Sequence, residues 1–173
     1  MSKSRLSAKK LALTAVLMAM NIIMSMSIFS IPVPGGHMYL NDLIICTAAI
    51  LLDPFCAFMV GGVGAFIGDM LFYPAPMFVS LVSHGLQAVI ISVCTRRLIK
   101  DKPAPSSVIG AVFGLIVSVV GYSLGRAFIY STPEYAVLKL PFQILQAGIG
   151  AALAVVLCWP CRLRAAFQRI FER

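Results

Sequence analysis

The chain has 173 residues, 60% hydrophobic and only 12% charged, and a net charge of +8. Ordinary soluble domains are about 45–50% apolar and about 25% charged, so a mean hydropathy of +0.96 excludes a water-soluble globular domain and excludes disorder. What remains is an integral membrane protein. Six spans of roughly 20 residues each fit this length as a single domain over residues 1–173.

In chain order, the first apolar stretch runs from about Leu11 to Phe29 and stops at Ile31-Pro32-Val33-Pro34-Gly35-Gly36. The second is short, from about Asp42 to Leu52, and ends at Asp53-Pro54. The third covers Phe55 to Phe72 and ends at Tyr73-Pro74-Ala75-Pro76. The fourth covers Met77 to Thr95, the fifth Ser107 to Tyr130, and the sixth Tyr135 to about Trp159. Proline at these external boundaries is expected because it cannot continue a helix. The expected fold is all-α, a membrane bundle of six transmembrane helices.

The charges set its orientation. Lys3, Arg5, Lys9 and Lys10 precede the first stretch, Arg96, Arg97, Lys100 and Lys102 fill one hydrophilic break, and Arg162, Arg164, Arg169 and Arg173 follow the last. Cytoplasmic segments collect lysine and arginine, so all three clusters agree with one topology in which both termini are cytoplasmic. A nucleic-acid partner would need a broad basic face, which this distribution does not offer. The first stretch is longer than a signal-peptide core and lacks an Ala-x-Ala-like site after it, so it is read as a retained helix.

With depth assigned, the polar residues inside the spans gather toward the outer side. Tyr39, Asn41 and Asp42 open the second span, Asp69 closes the third, and Ser80, Ser83, His84 and Gln87 lie in the outer half of the fourth. Arg126 and Tyr130 close the fifth; Lys139, Gln143 and Gln146 open the sixth on one helix face, at i, i+4 and i+7. Ionisable groups in a bilayer persist when they meet a polar cavity or a partner. These residues predict an outward-open cavity capped by the Pro32–Leu40 loop, with Tyr39, Phe72, Tyr73, Tyr122 and Tyr130 as aromatic walls. The plainer alternatives are ion pairs of Asp69 with Arg126 and Glu134 with Lys139, a helix–helix hydrogen bond for His84, and an N-cap role for Asn41.

Small residues form a second pattern. Gly64/Gly68, Gly110/Gly114 and Gly121/Gly125 are spaced for close helix packing, and Ala8, Ala12, Ala15 and Ala19 form a flat stripe reaching the cytoplasmic edge. That stripe is a candidate docking face for a partner protein. No phosphate-binding loop and no HExxH or GxSxG motif is present. Cys158-Trp159-Pro160-Cys161 has redox spacing without the expected strand–helix setting, and no second such pair offers a zinc site. No cofactor or metal is expected, and Trp159 reads as an interfacial anchor.

The run Pro34-Gly35-Gly36-His37-Met38-Tyr39-Leu40-Asn41-Asp42, then Leu52-Asp53-Pro54, then Gly61-Gly62-Val63-Gly64-Ala65-Phe66-Ile67-Gly68-Asp69-Met70-Leu71, resembles the substrate-binding S components of energy-coupling factor (ECF) vitamin transporters. The likeness is greatest to the riboflavin, pyridoxine and hydroxymethylpyrimidine subgroup. The resemblance implies a prokaryotic plasma-membrane protein that captures a vitamin from outside. It also implies partnership with a transmembrane coupling protein and two cytoplasmic ATPases, docked through an Ala-x-x-x-Ala motif. Ala15/Ala19 fits that motif best, with Ala8/Ala12 as the alternative.

The residues and the resemblance converge on uptake of a water-soluble vitamin or heteroaromatic precursor, without catalysis. The expected ligand contacts are Asn41, Asp69, His84, Gln87, Arg126, Lys139, Gln143 and Gln146 through hydrogen bonds, with Tyr39 and Tyr130 stacking. Two other readings stay open: a self-sufficient ion-coupled carrier in which Asp69 or His84 relays protons, and a membrane enzyme or assembly subunit using Cys158 and Cys161.

Overall fold

The computed structural model describes residues 8–34, 36–99 and 101–171; Lys3, Arg5, Gly35, Lys100 and Arg173 lie outside them. The described elements are α1 (Ala8–Met24), β1 (Ile31–Val33), β2 (Gly36–Met38), α2 (Asn41–Leu51), α3 (Pro54–Phe72), α4 (Met77–Arg97), α5 (Pro103–Tyr130), α6 (Pro133–Cys158) and α7 (Leu163–Phe171). Helices α3 to α6 are each long and apolar enough to cross a membrane. At about 1.5 Å per residue, the 11-residue α2 is shorter than a full crossing. Large apolar side chains such as Leu11, Phe78, Val112, Phe128 and Val137 are exposed on the outside of the bundle. The apolar excess of the composition is therefore on the surface, where lipid is the solvent.

Two expectations about the fold are corrected. The first helix ends at Met24 rather than near Phe29, and the chain between α1 and α2 is not simply loop. A 3-10 turn over Ser27–Phe29 leads into an antiparallel hairpin in which Ile31 faces Met38 and Val33 faces Gly36. Pro32 is tolerated because a two-stranded ribbon has free edges, and Gly36 takes φ +136°, a conformation costly for residues with a Cβ. The fold is thus helical with one short hairpin placed over one end of the bundle.

Helix α2 is the centre. Residues 41–42 and 44–51 are all buried, as expected of a helix that is apolar all round. Its last carbonyls have no intrahelical donors, and residues from other helices supply them. Arg96 donates to Leu51 O at 2.8 Å and Ala49 O at 3.4 Å, Arg164 to Ile50 O at 2.9 Å, and Ser92 Oγ to Leu52 O at 2.7 Å. Two arginines of the basic clusters therefore terminate the short helix, where their charge suits the negative end of its dipole.

The glycine pairs are consumed by internal packing. A Cβ at Gly64 would meet Asn21 and Met18, and one at Gly68 would meet Ser25 and Ile22, so this pair seats α1 on α3. Cβ atoms at Gly110, Gly114, Gly121 and Gly125 would run into Cys94, Ile91, Ser83 and Val79 of α4. A π-type turn at Met59–Val63 leaves the Val60 carbonyl to accept from Asn21 Nδ2 at 2.7 Å. By contrast, Ala8, Ala12, Ala15 and Ala19 are all exposed on α1.

At the same end as the arginine clamp, Lys10 forms an ion pair with Asp53, whose carboxylate caps α3 by accepting from Phe55 N and Cys56 N at 3.1 Å. Partial burial pushes the Asp53 carboxyl up, but these bonds outweigh it and hold the group below its ordinary range. Cys158 is buried and Cys161 exposed, both as free thiols. Trp159 does more than anchor: its Nε1 donates to Ser107 Oγ at 2.8 Å, and Arg164 lies over its ring at 5.1 Å.

Candidate functional site

The end of the bundle under the hairpin, opposite Arg96 and Arg164, encloses a cavity of about 380 Å³. Helices α2 to α6 contribute to its wall. The α3 side gives Asp69, Phe72 and Tyr73; α4 gives His84; α5 gives Tyr122, Arg126 and Tyr130; α6 gives Lys139, Gln143 and Gln146. The hairpin and the turn after it supply Gly36, His37 and Tyr39, with Asn41 from the first turn of α2 and Ser25 just beyond α1.

Of the ten side chains singled out as ligand contacts, the wall includes Tyr39, Asn41, Asp69, His84, Arg126, Tyr130, Lys139, Gln143 and Gln146. Gln87 stands apart from the wall. It is fully buried behind His84, where its Nε2 donates to Asp42 Oδ1 at 3.0 Å and its Oε1 lies 2.8 Å from His84 Nδ1. A carboxylate can only accept, so Gln87 must turn its NH₂ toward Asp42 and its oxygen toward His84. With the amide turned this way, His84 Nδ1 is the donor in the contact with Gln87.

Asp42, expected at the outer end of the second span but not among the ligand contacts, ties the site together. It is 0% exposed and takes a second bond from Gln146 Nε2 at 2.8 Å on Oδ2. The positive end of the α2 dipole favours its charge. Gln146 in turn accepts from the Tyr39 backbone N–H at 3.0 Å, so the floor of the cavity is bonded to its lid. The approach of α6 to Asp42 requires Gly150, where a Cβ would strike the α2 backbone at Asp42 C and Leu43 N, 2.9 Å away.

The plainer pairings give way to other partners. Asp69 accepts from Ser80 Oγ, which accepts from Tyr122 O–H. Lys139 donates to the carbonyl of His37 rather than to Glu134, which sits exposed in the first turn of α6. Arg126 lies over the Tyr130 ring at 5.6 Å, and the His84 and Tyr122 rings are 5.0 Å apart. Asn41 is not the cap of α2, since Leu40 holds that position; its buried Oδ1 has no hydrogen-bond partner among the described residues. Burial, then the nearby Asp69 charge, raises the Tyr39 phenol above its ordinary range, so it remains a neutral donor. Pro141 interrupts α6 between Lys139 and Gln143, removing one backbone donor in the cavity wall.

A membrane bundle with its polar groups convergent on one concave site is built to bind a small solute. Comparison with known proteins gives the class its name: residues 5–162 match the family described as ECF-type riboflavin transporter, S component, and the chain belongs to that family. It shares 32% identity over 122 residues with an uncharacterized protein of Pyrococcus woesei, covering 69% of this chain and 80% of that one. It shares 29% over 153 residues with the thiamine precursor transporter HmpT of Lactococcus lactis, covering 86% and 85%. A UPF0397 protein of Streptococcus agalactiae is 22% identical over 161 residues, covering 86% and 88%. The family is one of transporter S components, not of enzymes, and the chain is a multi-pass plasma-membrane protein with a role in vitamin transport.

Proposed function

We propose that this chain is the substrate-capture subunit of an ECF-type transporter, a single domain of six spans with both termini cytoplasmic. It binds a water-soluble vitamin or heteroaromatic precursor from outside and hands it on through a transmembrane coupling protein driven by two cytoplasmic ATPases. The observation that carries the reading is the cavity of about 380 Å³, lined by aromatic rings and convergent polar groups. It lies at the end away from Arg96 and Arg164; with those arginines inside, it opens outward. The hydroxymethylpyrimidine-type ligand suggested by the HmpT relative falls within the class such a pocket suits.

In this reading Asn41, Asp69, His84, Arg126, Lys139, Gln143 and Gln146 hydrogen-bond the ligand, and Tyr39 and Tyr130 stack on it. Gln87 acts through Asp42 and His84 as a positioning residue. The exposed stripe Ala8, Ala12, Ala15 and Ala19 on α1 meets the coupling protein, chiefly at Ala15 and Ala19. The test is co-purification with the energising module combined with ligand binding. Changing Ala15 and Ala19 to Leu is expected to stop assembly and preserve binding; unaltered assembly contradicts the docking face. An ion-coupled carrier would instead accumulate ligand in vesicles containing this chain alone.

A further inference from the structure

We propose that α7 and the turn before it bind the headgroup of an anionic phospholipid, with Arg162 and Arg169 as the cations that hold it. The proposal goes beyond the capture reading and does not depend on the cavity. Helix α6 is long and apolar enough to cross the membrane and ends at Cys158, so the chain that follows starts at the bilayer surface. Arg162 then sends it in a new direction. Its φ of 58° is in the left-handed region, its N–H donates to Trp159 O at 3.0 Å, and its carbonyl accepts from Ala166 N at 3.0 Å. Glycine or asparagine usually takes such a position, so an arginine here carries a backbone cost.

Helix α7 is amphipathic in a way that suits the membrane surface. Leu163, Ala166, Phe167 and Ile170, at i, i+3, i+4 and i+7, share one face. Phe167 packs against the core, but Leu163 is 38% and Ile170 56% exposed, so the bundle covers this face only in part. Helical spacing puts Arg164 and Arg169 on its two flanks and Gln168 opposite. Arg164 serves the fold through Ile50 O. Arg162 and Arg169 are exposed, and no carboxylate pairs with either among the described residues. Lys9 donates to Ile170 O at 3.4 Å and brings a further cation to the same helix. An apolar face flanked by basic residues is the pattern of a helix lying in the interface, with its apolar side among acyl chains and its cations at the phosphates. Long arginine stems let the guanidinium groups reach that level. A headgroup with net negative charge complements this set; a zwitterionic one brings its own cation and cancels part of the attraction.

Trp159, the single tryptophan of the chain, is half-buried at the root of α7 and supplies the reporter. The full-length protein is reconstituted in phosphatidylcholine vesicles containing a fixed fraction of brominated phosphatidylglycerol or brominated phosphatidylcholine, and quenching of Trp159 fluorescence is measured. The anionic lipid is expected to occupy the site at least about fivefold more tightly, the scale of one arginine at an anionic surface. That preference is expected to shrink in 1 M salt, where screening is nearly complete beyond about 3 Å. Arg162→Gly with Arg169→Gln is expected to abolish most of it. Thermal unfolding separates this role from a structural one: Arg162→Gly relieves the left-handed backbone and is expected to melt no lower than wild type. Equal quenching by the two lipids, or an undiminished preference in the double variant, overturns the proposal. So does loss of co-purification with the coupling protein in a double variant whose lipid preference is unchanged, which would assign α7 to a protein partner.

Discussion

Gly150→Ala isolates the contact on which the cavity floor depends, and Gly148→Ala is its internal control. The two glycines lie on the same helix and receive the same methyl group. At Gly148 the new Cβ would meet only Leu115 Cδ1 at 3.9 Å, ordinary van der Waals contact. At Gly150 it would meet the Asp42 Cβ and the backbone at Asp42 C and Leu43 N, both at 2.9 Å, so no side-chain rotation relieves it and α2 must move. Overpacking of this kind costs about 1–3 kcal/mol, partly offset by the gain of up to about 1 kcal/mol from replacing glycine in a helix. At about 2–4 °C per kcal/mol for a chain of this length, Gly150→Ala is expected to melt several degrees below Gly148→Ala. The shift also disturbs both hydrogen bonds to Asp42, each worth about 1.5–3 kcal/mol to a charged group, so ligand affinity should fall tenfold or more. Thermal unfolding in detergent and equilibrium binding read the two effects. Equal melting and equal affinity in the two variants would refute the coupling between α6 packing and the site.

Three further outcomes follow from the same geometry. Gln87→Leu, although its side chain stands outside the cavity wall, is expected to weaken ligand binding about tenfold, because Asp42 Oδ1 and His84 Nδ1 lose a partner worth about 1–3 kcal/mol; titration checks it. Arg96→Met removes donors from the Ala49 and Leu51 carbonyls and should lower the melting temperature by roughly 3–10 °C at about 1.5–3 kcal/mol. Asp53 has a folded-state pKa below its unfolded value, so its contribution is present above the unfolded pKa of about 3.9 and is lost as pH falls through the folded value. Melting curves of wild type and Asp53→Asn should therefore differ above about pH 4, draw together as pH falls below it, and coincide only below the folded-state value.

How much of this was legible in one dimension depended on what each residue reports. Depth along a helix is readable from span boundaries, and it gathered Asp69, His84, Arg126, Lys139, Gln143 and Gln146 at one end, where the cavity lies. Rotation about the helix axis is not readable in a chain whose lipid-facing and core-facing sides are equally apolar. Gln87 was therefore placed at the right depth but on the wrong side of His84, and its real partner, Asp42, was left outside the candidate contacts. The shortness of α2 was visible, but its remedy was not: Arg96 and Arg164 are far from it in sequence, and their basic character already had an explanation in topology. The hairpin was hidden because Pro-Val-Pro-Gly-Gly reads as loop, and tertiary contacts, among them those with Lys139 and Gln146, hold it over the cavity. Gly150 carried no signal distinct from Gly148; the difference between them is the presence of Asp42 opposite one of them.

The central claim is that the cavity under the hairpin captures one small water-soluble heteroaromatic molecule without chemistry or energy of its own. Native mass spectrometry of the protein as purified tests it most directly. The expected result is a 1:1 adduct whose released ligand is a planar heteroaromatic vitamin or precursor, and whose occupancy falls in Lys139→Gln. A protein that carries only lipid, and remains without an adduct after incubation with the B vitamins and their precursors, would contradict the account.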